Sequence, residues 1–182
     1  MDHEKKKERV KRPRKATAPL ERRYQRATCD FPAEFSWGTI THPARVKVIS
    51  IGGCFLETAV MVPPHAEMDV QLWMDAGSRP LHCLAKVVWV AERGIKIKGP
   101  KLHPGFALEF QKMYPEDRAL LDEYVRRQLR IFRAIGHELE KAHLDRALIK
   151  DLFQRVCPHD STNLAHVRKV CAEELRFFRL RP

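Results

Sequence analysis

The chain has 182 residues, 44% hydrophobic and 31% charged, with 34 Lys+Arg against 23 Asp+Glu and a formal net charge of +11. That is one domain of ordinary size with extensions, too apolar to be disordered throughout. Its longest apolar runs, such as Val87 to Ala91, fall far short of the ~20 residues that span a bilayer, and the charged start from Met1 to Lys15 lacks the apolar core of a secretory signal, so a cytoplasmic protein without membrane spans is expected.

Residues 1–20 carry two prolines and almost no large apolar side chains, which reads as a flexible basic arm unable to offset the entropy of ordering. Residues 1–26 hold 11 basic and 4 acidic side chains, whereas 27–114 hold 9 and 8, and 115–182 hold 14 and 11. The positive excess is therefore concentrated at the N-terminus. From Ala27 to about Met113 short β-rich runs alternate with turn residues, and the spacing predicts strands over Cys29–Trp37, Arg45–Ile51, Cys54–Glu57, Glu67–Met74, Leu81–Glu92 and Phe106–Gln111. Within Glu67–Met74, Val70, Leu72 and Met74 fall on one face and Asp69, Gln71 and Trp73 on the other. A small all-β barrel or sandwich follows.

Beyond Pro115, which suits a first helical turn, apolar residues recur every three or four positions through Leu121, Val125, Leu129, Phe132, Ile135, Leu139 and Ala142. A second helix runs through Leu144, Leu148, Leu152 and Val156, and a third through Leu164, Val167, Cys171, Leu175 and Phe178, with Ser161 or Thr162 as its cap. The first stripe fits either a coiled-coil seam between two copies, and so a homodimer, or packing within one chain. Arg126, Arg127, Arg130 and Arg133 make this helix basic, as a solvated face usually is.

Two short segments carry chemistry. Arg22, Arg23 and Arg26 place three guanidinium groups within five residues at the junction of arm and first strand. Such forks bind phosphate oxygens in pairs and lie flat against purine rings. Ser50-Ile51-Gly52-Gly53 sets a hydroxyl before a double glycine between two strands, where glycine allows positive φ or close approach of a ligand.

In this order and spacing the two segments resemble the motifs of the PilZ domain family. Arg22 to Arg26 fits RxxxR, and Ser50 and Gly53 fit the last two positions of [D/N]xSxxG. Lys86 to Val90 and Pro104 to Phe110 look like the family's final hairpin, and Pro115 to Leu121 like its C-terminal helix. The resemblance covers residues 21–125 and leaves 126–182 as a helical extension. It implies a mainly β fold, a six-stranded barrel that binds cyclic di-GMP, with no cofactor beyond that ligand. By it, Arg22 and Arg26, with Arg23 between them, take phosphates and stack on guanines, Ser50 bonds to the ligand, Gly53 shapes the turn and Trp89 sets an aromatic ring beside a guanine. One position departs from the pattern, because Val48 stands where the family has Asp or Asn and cannot accept hydrogen bonds from a guanine edge.

The five cysteines are odd in number and form no CxxC pair, which fits reduced thiols. Cys157, His159, His166 and Cys171 match no common zinc spacing, so no metal site is expected. No nucleophile elbow, HExxH, P-loop or paired carboxylates are present and Ser50 has no evident base, so no enzymatic activity is expected. The leading expectation is a cyclic di-GMP receptor or adaptor whose ligand orders the arginine segment and so signals to a protein partner. The alternatives are a nucleic-acid-binding protein using the basic arm, and a PilZ-like interaction module that does not bind the dinucleotide.

Overall fold

The computed structural model describes residues 24–75, 77, 79–92 and 103–176. The expected basic arm, Arg22, Arg23 and Phe178 lie outside the described residues.

Six antiparallel strands form where alternation predicts them: β1 (Arg26–Trp37), β2 (Ile40–Ser50), β3 (Gly53–Glu57), β4 (Glu67–Leu72), β5 (Leu81–Ala91) and β6 (Gly105–Met113). They close into a barrel in the order β1-β2-β3-β6-β5-β4. Inward positions supply the core, with Phe35 and Phe106 meeting edge to face at 5.2 Å between ring centroids. On β4 the expected alternation holds, since Val70 and Leu72 are buried and Asp69 is exposed. β2 begins at Ile40 rather than the expected Arg45. His42 and Pro43 disguised its first half. That half pairs with β1 alone, while β3 joins β2 only from Arg45 onward, so the missing proline donor costs no ladder bond there.

A bulge in β1 between Thr28 and Phe31 accompanies the most buried ion pair of the barrel wall. The Asp30 carboxylate, 6% exposed, accepts from Arg45 Nε at 2.6 Å and Lys47 Nζ at 2.9 Å. Burial pushes this carboxyl up, but the hydrogen bonds from Lys47 and Arg45, together with their charges, outweigh it and hold it below its ordinary range.

Three helices follow: α1 (Pro115–Leu139), α2 (Arg146–Val156) and α3 (Leu164–Arg176). Pro115 opens α1 as expected, and the buried Asp117 in its first turn receives Arg79 Nη2 at 2.6 Å and the His82 amide at 3.2 Å, fixing the helix start to the head of β5. Leu121, Tyr124, Val125 and Leu129 then extend the barrel core, Tyr124 edge-on to Phe31 at 5.5 Å. Farther along, Phe132 and Ile135 enter a second core with Ile149, Phe153, Val156, Val167, Val170 and Cys171. The apolar stripe of α1 is thus used within one chain. The helix ends at Leu139 rather than Ala142, because Glu138 turns its carboxylate onto Lys141 Nζ at 2.5 Å and the Asp145 amide at 3.1 Å. Asp145 caps α2 by accepting from the Leu148 amide at 2.9 Å. Asn163, not Ser161 or Thr162, caps α3: it directly precedes the first helical residue, and its Oδ1 accepts from the Ala165 amide at 2.8 Å. Ser161 lies two positions before that cap and accepts from the Asn163 amide instead, at 3.3 Å.

α3 returns to the barrel. Its Glu174 accepts a short hydrogen bond from the Thr28 hydroxyl on β1. All five cysteines are free and buried, and burial pushes the Cys83 and Cys171 thiols up to about 12, so they remain protonated. Among the described residues no three His, Cys, Asp or Glu side chains converge as a metal site, and no helix is long and apolar enough to cross a membrane.

Two consequences can be measured. An ideal Cβ on Gly105 would lie 2.0 Å from the Leu56 carbonyl oxygen, so Gly105→Ala should lower stability by about 2 kcal/mol, read as a fall in the denaturant midpoint. Burial also raises the Glu174 carboxyl from 4.5 to about 7, so the stability it contributes is full below pH 4.5 and lost as pH rises through about 7. Glu174→Gln should match wild type near pH 4 and exceed it by up to about 3 kcal/mol at pH 8 in parallel melts; an unchanging difference across that range would exclude this linkage.

Candidate functional site

Two neighbouring cross-strand rows on the outer face of the barrel build the site. On β1, β2, β3 and β6 the residues Ala27, Ile49, Cys54 and Leu108 point into the core, so their neighbours in sequence point outward. The first row runs Thr28, Val48, Phe55, Ala107, Trp89 across β1, β2, β3, β6 and β5. The second runs Arg26, Ser50, Gly53, Glu109, Lys86 across the same strands. One row is chiefly apolar and the other chiefly polar.

A cleft of about 380 Å³ lies over these rows, lined by Arg26, Val48, Ser50, Gly53, Phe55, Trp89 and Glu109 among others. That size falls within the ~300–1,000 Å³ of small-molecule sites. Of the residues singled out in the sequence, Arg26, Ser50, Gly53 and Trp89 are brought together here, and Val48 sits on the floor among them. Arg22 and Arg23 precede Tyr24, the first described residue, by two positions and one.

Each side chain has a local reason for its place. Trp89 follows a bulge in β5 that turns it outward; it remains 38% exposed, with its ring 6.1 Å from that of Phe55. An indole standing on a phenyl ring at a cleft wall offers a flat apolar face to a planar guest. Ser50 is buried, and its hydroxyl donates to the Gly53 carbonyl at 3.0 Å, closing the β2–β3 turn from within while its lone pairs stay available as acceptors. Burial pushes the Cys54 thiol well above its ordinary value, so it contributes a neutral wall.

The double glycine works differently from the expectation of positive φ. Among the described residues only Gly38 and Gly77 are left-handed glycines. Gly53 is required for space: an ideal Cβ there would lie 2.0 Å from the Leu108 carbonyl oxygen on β6. Gly52 lies beneath the Tyr24 ring, where a Cβ would fall 2.4 Å and 2.6 Å from Cδ2 and Cε2 unless the ring moved. In both cases the close approach is made by the chain's own atoms.

Tyr24, Phe55 and Glu109 are among the members of the site that reading the sequence missed. Glu109 is the single carboxylate among the lining residues, exposed at the rim and receiving Gln111 Nε2 at 3.3 Å. A carboxylate so placed can accept a pair of N–H donors. It faces Arg26 across three strand spacings, about 14 Å. The alternation of β6 marks Glu109 as outward, but nothing in the sequence says that β6 lies beside β3.

A second cleft of about 360 Å³ shares Val48 and continues between barrel and helices past Thr28, Asp30, Lys47, Cys157, His166 and Lys169. Within it Asp30 is paired with Lys47, and His166 Nε2 lies 3.3 Å from Asp160 Oδ2.

Solved structures with the same fold include the inhibitor of motility MotI/DgrA of Bacillus subtilis, 17% identical with a TM-score of 0.52, covering 62% of this chain and 53% of its own. The PilZ domain of YcgR from Escherichia coli with c-di-GMP, 20% identical with a TM-score of 0.51, covers 65% of this chain and 99% of its own. YcgR in complex with c-di-GMP is 16% identical with a TM-score of 0.54, covering 66% of this chain and 51% of its own. This chain therefore spans about half the length of MotI and of the longer YcgR structure. No curated protein matches it in sequence. The PilZ domain family matches residues 20–127, which comprise the arginine segment, all six strands and the first half of α1, and the chain belongs to the PilZ domain family.

Proposed function

We propose that the chain is a cyclic di-GMP receptor that binds the dinucleotide on the two-row cleft and passes the bound state to a protein partner. The observation that carries this reading is the convergence of Arg26, Ser50, Gly53 and Trp89, from four different strands, on one cleft of about 380 Å³. YcgR, with the same fold, is solved with that ligand. Arg26 and the neighbouring Arg22 and Arg23 take the phosphates through charge-assisted bonds, and Trp89 stacks on a base. Val48 leaves the base edge without its usual acceptor, and Glu109 on the far wall supplies a carboxylate for the N1–H and N2–H donors of guanine. The role is one of binding and relay, with no chemical step assigned to any side chain.

Calorimetric titration with cyclic di-GMP tests this. Losing a hydrogen bond to a charged group costs about 1.5–3 kcal/mol, so Arg26→Ala should weaken binding roughly ten- to a hundredfold. Val48→Asp should strengthen it by about tenfold, and the absence of heat from both wild type and Val48→Asp would overturn the proposal. Glu109→Gln should weaken cyclic di-GMP by about tenfold while leaving any binding of cyclic di-AMP unchanged; equal loss for both would remove Glu109 from base reading. DNA binding that falls steeply with salt, in a chain that does not take up the dinucleotide, would favour the polyanion reading instead.

A further inference from the structure

Phe55 is buried although its strand turns it away from the core. It points outward from β3, in the apolar row between Val48 of β2 and Ala107 of β6, yet it is only 5% exposed and belongs to neither hydrophobic core. A phenyl ring on the outside of a barrel stays out of water only where a neighbour covers it. The Trp89 ring, 6.1 Å away between centroids, supplies that cover.

The two rings come from strands that are not adjacent. β6 runs between β3 and β5, so the backbones at Phe55 and Trp89 stand two strand spacings apart, about 10 Å. Centroids 6.1 Å apart mean that the side chains lean toward one another over the residue between them, and that residue, paired in register with both, is Ala107. A methyl group leaves room for the contact, whereas a larger side chain at this position would rise between the rings. Trp89 needs such a hold. The bulge between Val87 and Trp89 disturbs the β5–β6 ladder and leaves two consecutive residues outside, Val88 at 48% and Trp89 at 38% exposure. The strand thus turns the indole out, but its side-chain torsions are fixed only by what the ring touches.

We infer that Phe55 is a positioning residue for Trp89, holding the plane of the indole across Ala107 before any ligand arrives. That a base stacks on this plane rests on the function proposed above; the ring pair itself does not. A phenyl ring so fully covered offers a guest almost no surface, so Phe55 acts through Trp89. Fixing the indole in advance removes the cost of immobilising it during binding, a factor of about two to ten in affinity.

The test uses the full chain with fluorotryptophan at Trp37, Trp73 and Trp89, the three tryptophans of the sequence, each fluorine resonance being assigned by its loss on substitution with phenylalanine. Without ligand, Phe55→Leu and Ala107→Val should each shift the Trp89 resonance and leave those of Trp37 and Trp73 in place. A general loosening of the barrel would move all three and overturn the inference. Calorimetry should show that Phe55→Leu weakens cyclic di-GMP about fivefold in the wild-type chain and less than about twofold in Trp89→Ala, because the phenyl ring works only through the indole. An unmoved Trp89 resonance in both variants would overturn the inference, and so would an equal loss of affinity in the two backgrounds. A Trp89 resonance that moves alone, in a chain that binds no cyclic di-GMP, would sustain the ring pair and overturn the proposed function alone.

Discussion

The contact between β3 and β6 is the constraint on which the rest of the structure depends. β3 has five residues, and it joins the β1–β2 hairpin to the β4–β5–β6 half of the barrel. Both ends of its ladder with β6 are set by a glycine pressed against an opposing carbonyl: Gly53 on Leu108 and Gly105 on Leu56, each with 2.0 Å between an imagined Cβ and the oxygen. No side chain larger than hydrogen fits at either place without moving a strand. Closure in this form also shapes the cleft. Gly53, between Ser50 and Glu109 in the polar row, lines the cleft with backbone alone.

The helices are joined to the barrel by more than one kind of bond. α1 belongs to two cores at once, Leu121 to Leu129 to the barrel's and Phe132 to Ile135 to the helical one, with the two sets on a single uninterrupted helix. At Gly136 the Leu175 side chain of α3 comes so near that a Cβ would lie 2.4 Å from its Cδ1. α3 then reaches β1 through Glu174 and Thr28. Thr28 is two residues from Arg26 and on the same outward face, so the strand that presents the cleft's guanidinium also holds the last helix.

Much of this was legible in the sequence, and the limits have physical causes. Strands showed as alternation between turn residues, and helices as a period near 3.6 after Pro115. The first half of β2 did not show, because His42 and Pro43 look like punctuation wherever a strand has a neighbour on one side only. The cap of α3 was misplaced because Ser161, Thr162 and Asn163 all have capping side chains, and only the first helical residue decides among them. Within the site, Arg26, Ser50 and Gly53 were visible as spaced motifs. Glu109 and Phe55 depend on the β3–β6 register, a pairing of strands distant in sequence. Tyr24 and Gly52 are 28 positions apart and meet only because β1 and β2 fold back on each other.

A closed barrel has consequences for recognition as well as for stability. Each of its six strands has a neighbour on both sides over some part of its length, and one-sided pairing among the described residues is confined to parts of strands, such as the first half of β2. Closure leaves short edges for another protein to join by adding a strand, as many peptide-binding domains allow. Recognition then falls chiefly to side chains, on the outer rows or on the helices. Recognition of that kind responds to changes in surface chemistry, and a nucleotide laid across five strands would alter the surface of the barrel without altering its hydrogen-bonded frame.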